Sequence, residues 1–311
     1  MDRIRRMLKL TNELKPGEFD DLLTVRRPHI LEQICLSLDD YETLKNCLEV
    51  NSDWREVLTN KVFIKRVQST FKEDINYVND QNTLIQMSAA GDEEGVRRIL
   101  SGGLIKVDCI DEKFEHWQQI GPRTPLIYAA TDGYADIVRL LIEAGADVNQ
   151  EGPVNSTGGP DNYEHTPLMV AANYNHFAVV RLLIEAGAHH DKVDKFGKTP
   201  LRLAICPSNV NWIHDDRLER NPIAVMTLLI DNGADVNHAD EYGTTPLIAA
   251  AYMGDCEAAS LLLDRGANIE KVSSTSRRSP LMTAADENNT DMMRLLIRRG
   301  ANLLHGDLYN L

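Results

Sequence analysis

The sequence predicts an all-α protein, a solenoid of stacked helix-turn-helix units joined by β-hairpin loops, with a small helical module in front of it. Three observations lead there. First, one pattern occurs five times, in Arg123-Thr-Pro-Leu-Ile-Tyr-Ala-Ala130, His165-Thr-Pro-Leu-Met-Val-Ala-Ala172, Lys198-Thr-Pro-Leu-Arg-Leu-Ala-Ile205, Thr244-Thr-Pro-Leu-Ile-Ala-Ala-Ala251 and Arg278-Ser-Pro-Leu-Met-Thr-Ala-Ala285. Second, each copy is answered downstream by a Leu-Leu pair and then a Gly-Ala, from Leu140-Leu141 with Gly145-Ala146 to Leu295-Leu296 with Gly300-Ala301. Third, 43% of the 311 residues are hydrophobic and 26% charged, too apolar for a disordered chain, yet no apolar run approaches the roughly 18 residues that span a bilayer.

Each feature of the repeat has a physical reason. Proline fits the first helical turn because its missing N–H would have no intrahelical partner there, and the Thr or Ser before it can cap the helix. Small Ala-Ala residues on this first helix let the second come close, and the Leu-Leu pair of the second buries against the neighbouring repeat. Glycine then ends the second helix in the left-handed conformation. The prolines 125, 167, 200, 246 and 280 are spaced 42, 33, 46 and 34 residues apart. The excess over 33 places one insertion in Gln150–Glu164, within a hairpin, and another in Pro207–Arg220, between two helices of one repeat. A degenerate sixth unit, Thr83 to Leu100 without Thr-Pro, precedes the five and is followed by the longer connection Val107–Pro122.

On these motifs the chain resembles ankyrin repeats over about residues 83–305. No copy has histidine after Thr-Pro-Leu, as the family often does, which implies weaker cross-bonding of the hairpins. The resemblance implies a concave surface built from hairpin tips and inner helices. Counted from each Thr-Pro, its outward positions include Tyr163, Asn173, Tyr174, Phe196, Tyr242, Tyr252 and Met253, with Tyr163, Tyr174, Phe196, Tyr242, Tyr252 and Met253 as candidate contacts to a protein target. The hairpin aromatics can equally pack against the next tip.

Ahead of the repeats, Pro28-His-Ile-Leu-Glu-Gln-Ile-Cys-Leu-Ser-Leu38 reads as a short helix with Ile30, Leu31, Ile34 and Leu38 on one face. Asp39-Asp40 caps a second apolar-periodic stretch, Tyr41–Leu48, and Trp54 opens a third. This order, with Val50-Asn51-x-x-Trp54 and then Phe63-Ile64-x-x-Val67, resembles an F-box over Val25–Val67. The motif's leading Leu-Pro is Arg27-Pro28 here, and its Val-Cys is Val50-Asn51. The resemblance implies docking on the linker protein of an SCF-type cullin ubiquitin ligase through Pro28, Ile30, Leu31, Ile34, Leu38, Leu44, Val50 and Trp54. The same helices could instead simply cap the solenoid. The domains expected are a tail at 1–24, the module at 25–70, a linker at 71–82 and the repeats at 83–311.

The formal charge is −14, of which residues 1–80 carry −2, leaving about −12 on the repeats. Such a surface repels phosphate backbones and anionic membranes, and favours a basic protein target. The N-terminus lacks the apolar core of a secretory signal; Arg3, Arg5 and Arg6 suit a mitochondrial presequence, but Asp2 and Glu13 do not. Five cysteines without a C-x-x-C pair suggest neither a disulfide framework nor a zinc knuckle, and the expected location is cytoplasmic, nuclear or both. No Walker-type loop, H-E-x-x-H or G-x-S-x-G is present, so no catalytic role and no cofactor is expected. His189-His190-Asp191 with Asp194 has metal-ligand residue types, but its place at a hairpin makes solvent-facing polarity the simpler reading, and no metal is expected.

Overall fold

The computed structural model describes Val67 and residues 75–102, 104–110, 123–152, 165–206 and 221–303. Apart from Val67, which is buried, the F-box-like stretch lies outside the described residues, as do Tyr163, most of the first insert and all of Pro207–Arg220.

Two compact units divide the chain, Met1–Cys109 and Ile110–Leu311. In the first, helix α1 (Ile75–Ala90) turns at Gly91 into α2 (Glu93–Ser101). Asp92 caps α2 by accepting the Gly95 N–H at 2.9 Å. Helix α1 begins well before Thr83, so residues 75–82 are helical. Without Thr-Pro to force a start, the helix simply continues upstream. The degenerate repeat lies in the first unit.

The second unit is five helix pairs. They are α3 (Pro125–Asp132) with α4 (Ala135–Glu143), α5 (Pro167–Asn173) with α6 (Phe177–Glu185), α7 (Pro200–Ile205) with α8 (Pro222–Asp231), α9 (Pro246–Met253) with α10 (Cys256–Asp264), and α11 (Pro280–Asp286) with α12 (Thr290–Arg298). Inner helices α3, α5, α7, α9 and α11 pack successively, and so do the outer helices. All five inner helices open as the sequence predicts. Thr124, Thr166, Thr199, Thr245 and Ser279 accept the backbone N–H three residues on, at 3.2 to 3.3 Å, with proline next in the chain. These hydroxyls are themselves buried, so each bond is shielded from water and each cap contributes about 1 kcal/mol.

Among the described residues there is no β-strand, which corrects the expectation of β-hairpin loops. The described connections are turns. The Leu-Leu pairs also divide more sharply than expected: Leu141, Leu183, Leu229, Leu262 and Leu296 are fully buried, while the leucine before each is only half-buried. Adjacent helical residues point about 100° apart, so only one of a pair can face the neighbouring repeat squarely. Ala129-Ala130, Ala171-Ala172 and Ala250-Ala251 are wholly buried, whereas in the last repeat Ala284 is buried and Ala285 is exposed.

Glycines of the Gly-Ala pairs adopt φ from +88° to +103° and end the outer helices. Gly254 has a different role. It joins α9 to α10 at φ +71°, and a Cβ there would lie 2.1 Å from Asn289 Nδ2 of the next repeat, so close stacking as well as backbone conformation demands glycine. At the far end of the described residues, Ile297 and Leu303 are 41% and 69% exposed, whereas Val148 and Val236, which match Leu303 in inner repeats, are 9% exposed. Each inner repeat owes that burial to the repeat that follows it.

Leu229→Ala should therefore destabilise the protein by about 2–5 kcal/mol, the range for a buried leucine. Leu228→Ala should cost roughly 1 kcal/mol, because its side chain is only partly withdrawn from water. Chemical denaturation of the two variants tests this, and equal losses would contradict the assigned facing.

Candidate partner-binding face

Two of the described hairpin tips share one design, Asp194-Lys-Phe-Gly197 and Asp240-Glu-Tyr-Gly243. In each, the aspartate turns inward and its Oδ1 accepts two backbone N–H groups. Asp194 accepts from Phe196 and Lys198 at 2.9 and 2.8 Å, and Asp240 from Tyr242 and Thr244 at 3.0 and 2.8 Å. Two backbone bonds close each loop: Asp194 N–H to the Lys198 carbonyl and Gly197 N–H to the Asp194 carbonyl in one, Asp240 N–H to the Thr244 carbonyl and Gly243 N–H to the Asp240 carbonyl in the other. Both carboxylates are buried, at 4% and 7% exposure, so they hold the tip and do not face a ligand.

The tips are also bonded to one another. Glu241 N–H donates to the Phe196 carbonyl at 3.0 Å, and the N–H groups of Ser274 and Thr275 donate to the Tyr242 carbonyl at 3.1 and 3.2 Å. Arg202, at the place where the family has histidine, brings Nε to 3.9 Å from Asp240 Oδ2, and His165 Nε2 lies 3.5 Å from Asp194 Oδ2. The absence of the usual histidine therefore does not leave the tips unlinked. Burial pushes the Asp194 carboxyl up, but the His165 contact and the backbone N–H groups of Lys198 and Phe196 outweigh it and hold it below the usual carboxylate range.

Behind the tips, asparagines link repeat to repeat. Asn149 Nδ2 donates to the Gly187 carbonyl and its Oδ1 accepts from His189 N–H; Asn237 does the same for Gly266 and Asn268. Ion pairs Asp231–Arg265 and Asp264–Arg299 join neighbouring outer helices at their C-termini, exposed contacts worth about 0–1 kcal/mol each. The repeated Ala-Asp-Val-Asn of 146–149 and 234–237 is the sequence signal that marks both asparagines.

The candidate target contacts fall into two groups. Tyr242, Tyr252 and Met253 are 49%, 58% and 44% exposed. Tyr174 is half-buried and stacks on His176 at 6.1 Å between centroids, and half-buried Phe196 lies between the ammonium groups of Lys195 and Lys198, 5.1 and 5.5 Å from its ring. Those two rings are occupied within the chain. Asn173, expected to point outward, is buried.

On the same inner-helix row as Met253, Asp132 has a carboxyl raised by burial, an effect that Arg123 partly offsets. Burial, with the negative charges of Asp291 and Asp255, raises the Cys256 thiol, the opposite of an activated nucleophile. Among the described residues no three His, Cys, Asp or Glu side chains form a metal-binding group, so His189, His190 and Asp191 do not assemble one; His190 Nδ1 is buried without a partner. No described helix is long and apolar enough to cross a membrane.

What this geometry displays is a set of apolar side chains on a rigid, bonded row of tips and inner helices, with no reactive group among them. Ankyrin-repeat family models match residues 55–152, 150–204 and 218–307, well over half of the chain, which belongs to the ankyrin-repeat family. The B-cell lymphoma 3 protein homolog of Mus musculus is 46% identical over 54 residues, a stretch that covers 17% of this chain and 12% of that protein. The chain therefore spans a small part of the curated relative it matches. Ankyrin repeats form scaffolds for protein-protein interaction and are in general non-catalytic. The first match begins at residue 55 and so takes in the end of the F-box-like stretch.

Because the Asp194 carboxyl is held low in the folded protein, its stabilising contribution is complete above the unfolded value near 4 and is lost as pH falls through the lower folded value. The melting temperature of Asp194→Asn should accordingly fall less on acidification below about pH 4 than that of the wild type. Asp132 has the opposite sign. Its raised carboxyl disfavours the folded state when ionised, so Asp132→Asn should raise the melting temperature at neutral pH and lose that advantage in acid. Melting curves across pH 2–7 for both variants would show it, and parallel curves would contradict the assignment.

Proposed function

We propose that this chain is a non-catalytic adaptor of an SCF-type cullin ubiquitin ligase, with the repeats gripping a target protein and residues 25–67 docking on the linker protein. The observation that carries the target-binding half is the exposure of Tyr242, Tyr252 and Met253 in repeats whose other large apolar side chains are mostly withdrawn from water. Aromatic and methionine side chains standing free on a rigid support are the usual anchors of protein interfaces. The ligase half rests on the F-box-like order of Pro28, Ile30, Leu31, Leu44, Val50 and Trp54. On this reading the protein acts in the cytoplasm, the nucleus or both. The net charge alone favours a basic target.

A second reading has an observation of its own. Since ankyrin similarity already begins at residue 55, the N-terminal helices can be the polar end that a stacked core requires, leaving a free-standing scaffold.

The paired test uses the full chain and Leu31→Glu. If the segment docks on the linker protein, the substitution places an unpaired carboxylate in an interface, at a cost of several kcal/mol, and abolishes co-purification of the linker while the melt is unchanged. A wild type that never binds the linker, with a variant that melts early, leaves the capped scaffold. For the target face, Tyr252→Ala should weaken capture of whatever protein co-purifies with the repeats by about 2 kcal/mol, roughly thirtyfold, with no change in melting; undiminished capture would remove Tyr252 from the interface.

A further inference from the structure

We propose that Thr275, at the tip of the last described hairpin, is a phosphorylation site for a protein kinase that recognises basic residues. This tip departs from the other two at every position that defines them. Ser273 stands where Asp194 and Asp240 stand, no aromatic follows, and the loop is one residue longer. Arg277 occupies a left-handed conformation, φ +57°, where the other tips have Gly197 and Gly243 at +74° and +75°. An arginine in that conformation costs stability that glycine would not.

What the exchange produces is a distinct chemical surface. Lys271-Val-Ser-Ser-Thr-Ser-Arg-Arg-Ser279 contains three cations and no acid, in a chain whose formal charge is −14. Lys271, Arg277 and Arg278 are exposed, as are Ser274, Thr275 and Ser276. A kinase that reads basic flanks presents carboxylates to them, and the rest of this acidic domain repels such a kinase. The tip is thus a local concentration of positive charge.

Among the hydroxyls, the geometry selects Thr275. Ser273 is buried, and its Oγ accepts the Ser276 N–H at 3.1 Å and contacts the Ser276 hydroxyl, so both are engaged. Ser274, though exposed, lies against Gly243 of the preceding tip, where a Cβ would come within 2.6 Å of its hydroxyl. Thr275 is pinned only by its backbone N–H to the Tyr242 carbonyl, and its side chain is exposed. It has Lys271 four residues before it, and Arg277 and Arg278 two and three after.

The transfer needs ATP and a kinase. The bond between the γ-phosphorus and the bridging oxygen of ADP breaks, a P–O bond forms to Thr275 Oγ1, and the hydroxyl proton passes to the general base of the kinase. The product adds up to two negative charges beside Arg278, which otherwise pairs with Asp286 on the inner helix at 3.0 Å. A phosphate that draws Arg278 away leaves Asp286 uncompensated on the inner-helix face that carries Tyr252 and Met253. The modification therefore changes the charge of the proposed target face, although the site itself stands independently of what the repeats bind.

The experiment incubates the intact protein with MgATP and either the catalytic subunit of the cyclic-AMP-dependent kinase, protein kinase C, or an acid-directed casein kinase, and maps phosphate by mass spectrometry. Phosphate on Thr275 from a basic-directed kinase is expected, absent in Thr275→Ala and slowed about tenfold in Arg278→Ala, the loss of one charge-assisted contact. The casein kinase should leave Thr275 unmodified. A peptide of residues 269–281 serves as the control for recognition. Labelling of the peptide but not of the protein would overturn the proposal by showing the tip closed, and labelling of neither would overturn the reading of the flanks. Phosphate confined to Ser274 or Ser276 would overturn the choice of acceptor. In the labelled protein, phosphorus NMR should show the phosphate titrating at lower pH in the wild type than in Arg278→Ala; identical curves would contradict capture of Arg278.

Discussion

Everything in the repeat domain depends on the fact that no helix pair can bury its own apolar face. A pair of helices of six to ten residues has one inner side and one outer side, and the second leucine of each pair, such as Leu183 or Leu229, is fully buried while each outer helix packs against both its own inner helix and a neighbouring outer one. The repeats are consequently stable only as a stack, with energies that add from one junction to the next. The polar contacts follow the same rule. Asn149, Asn237 and Gly254 with Asn289 all act across a junction, and so do the bonds from Glu241 to Phe196 and from Ser274 to Tyr242.

Such a construction frees surface for binding. Because the core lies between repeats, side chains at the ends of inner helices and at the tips contribute little to it, and Tyr242, Tyr252 and Met253 can stand exposed without weakening the fold. Their backbones are nevertheless fixed, Tyr242 by the inward carboxylate of Asp240 and Tyr252 by a helix capped at Thr245. Side chains held on rigid supports lose little freedom on binding, which is what an interface anchor needs.

The regular repeats were legible in the sequence because each of their signals is local. Thr-Pro fixes a helix start within two residues, Gly-Ala fixes an end, and both recur often enough to remove ambiguity. Harder to read were features that depend on facing or on distant partners. Which leucine of a pair is buried turns on a rotation of about 100°, and the half-burial of Tyr174 turns on His176. The start of α1 at Ile75 was missed because the degenerate repeat lacks the proline that marks the others. The tip aspartates were visible as letters, but their role as inward acceptors required the loop geometry of Asp194 and Asp240.

Native-state hydrogen exchange measures the nearest-neighbour character of the stack most directly. In the wild type, protection should vary from repeat to repeat. With Leu229→Ala it should fall most in Pro222–Asp231, less in the flanking Phe177–Glu185 and Cys256–Asp264, and least in Pro125–Glu143, because its helix packs mainly against its own repeat and the outer helices on either side. A uniform fall across residues 123–303 would show a single cooperative core and contradict the account.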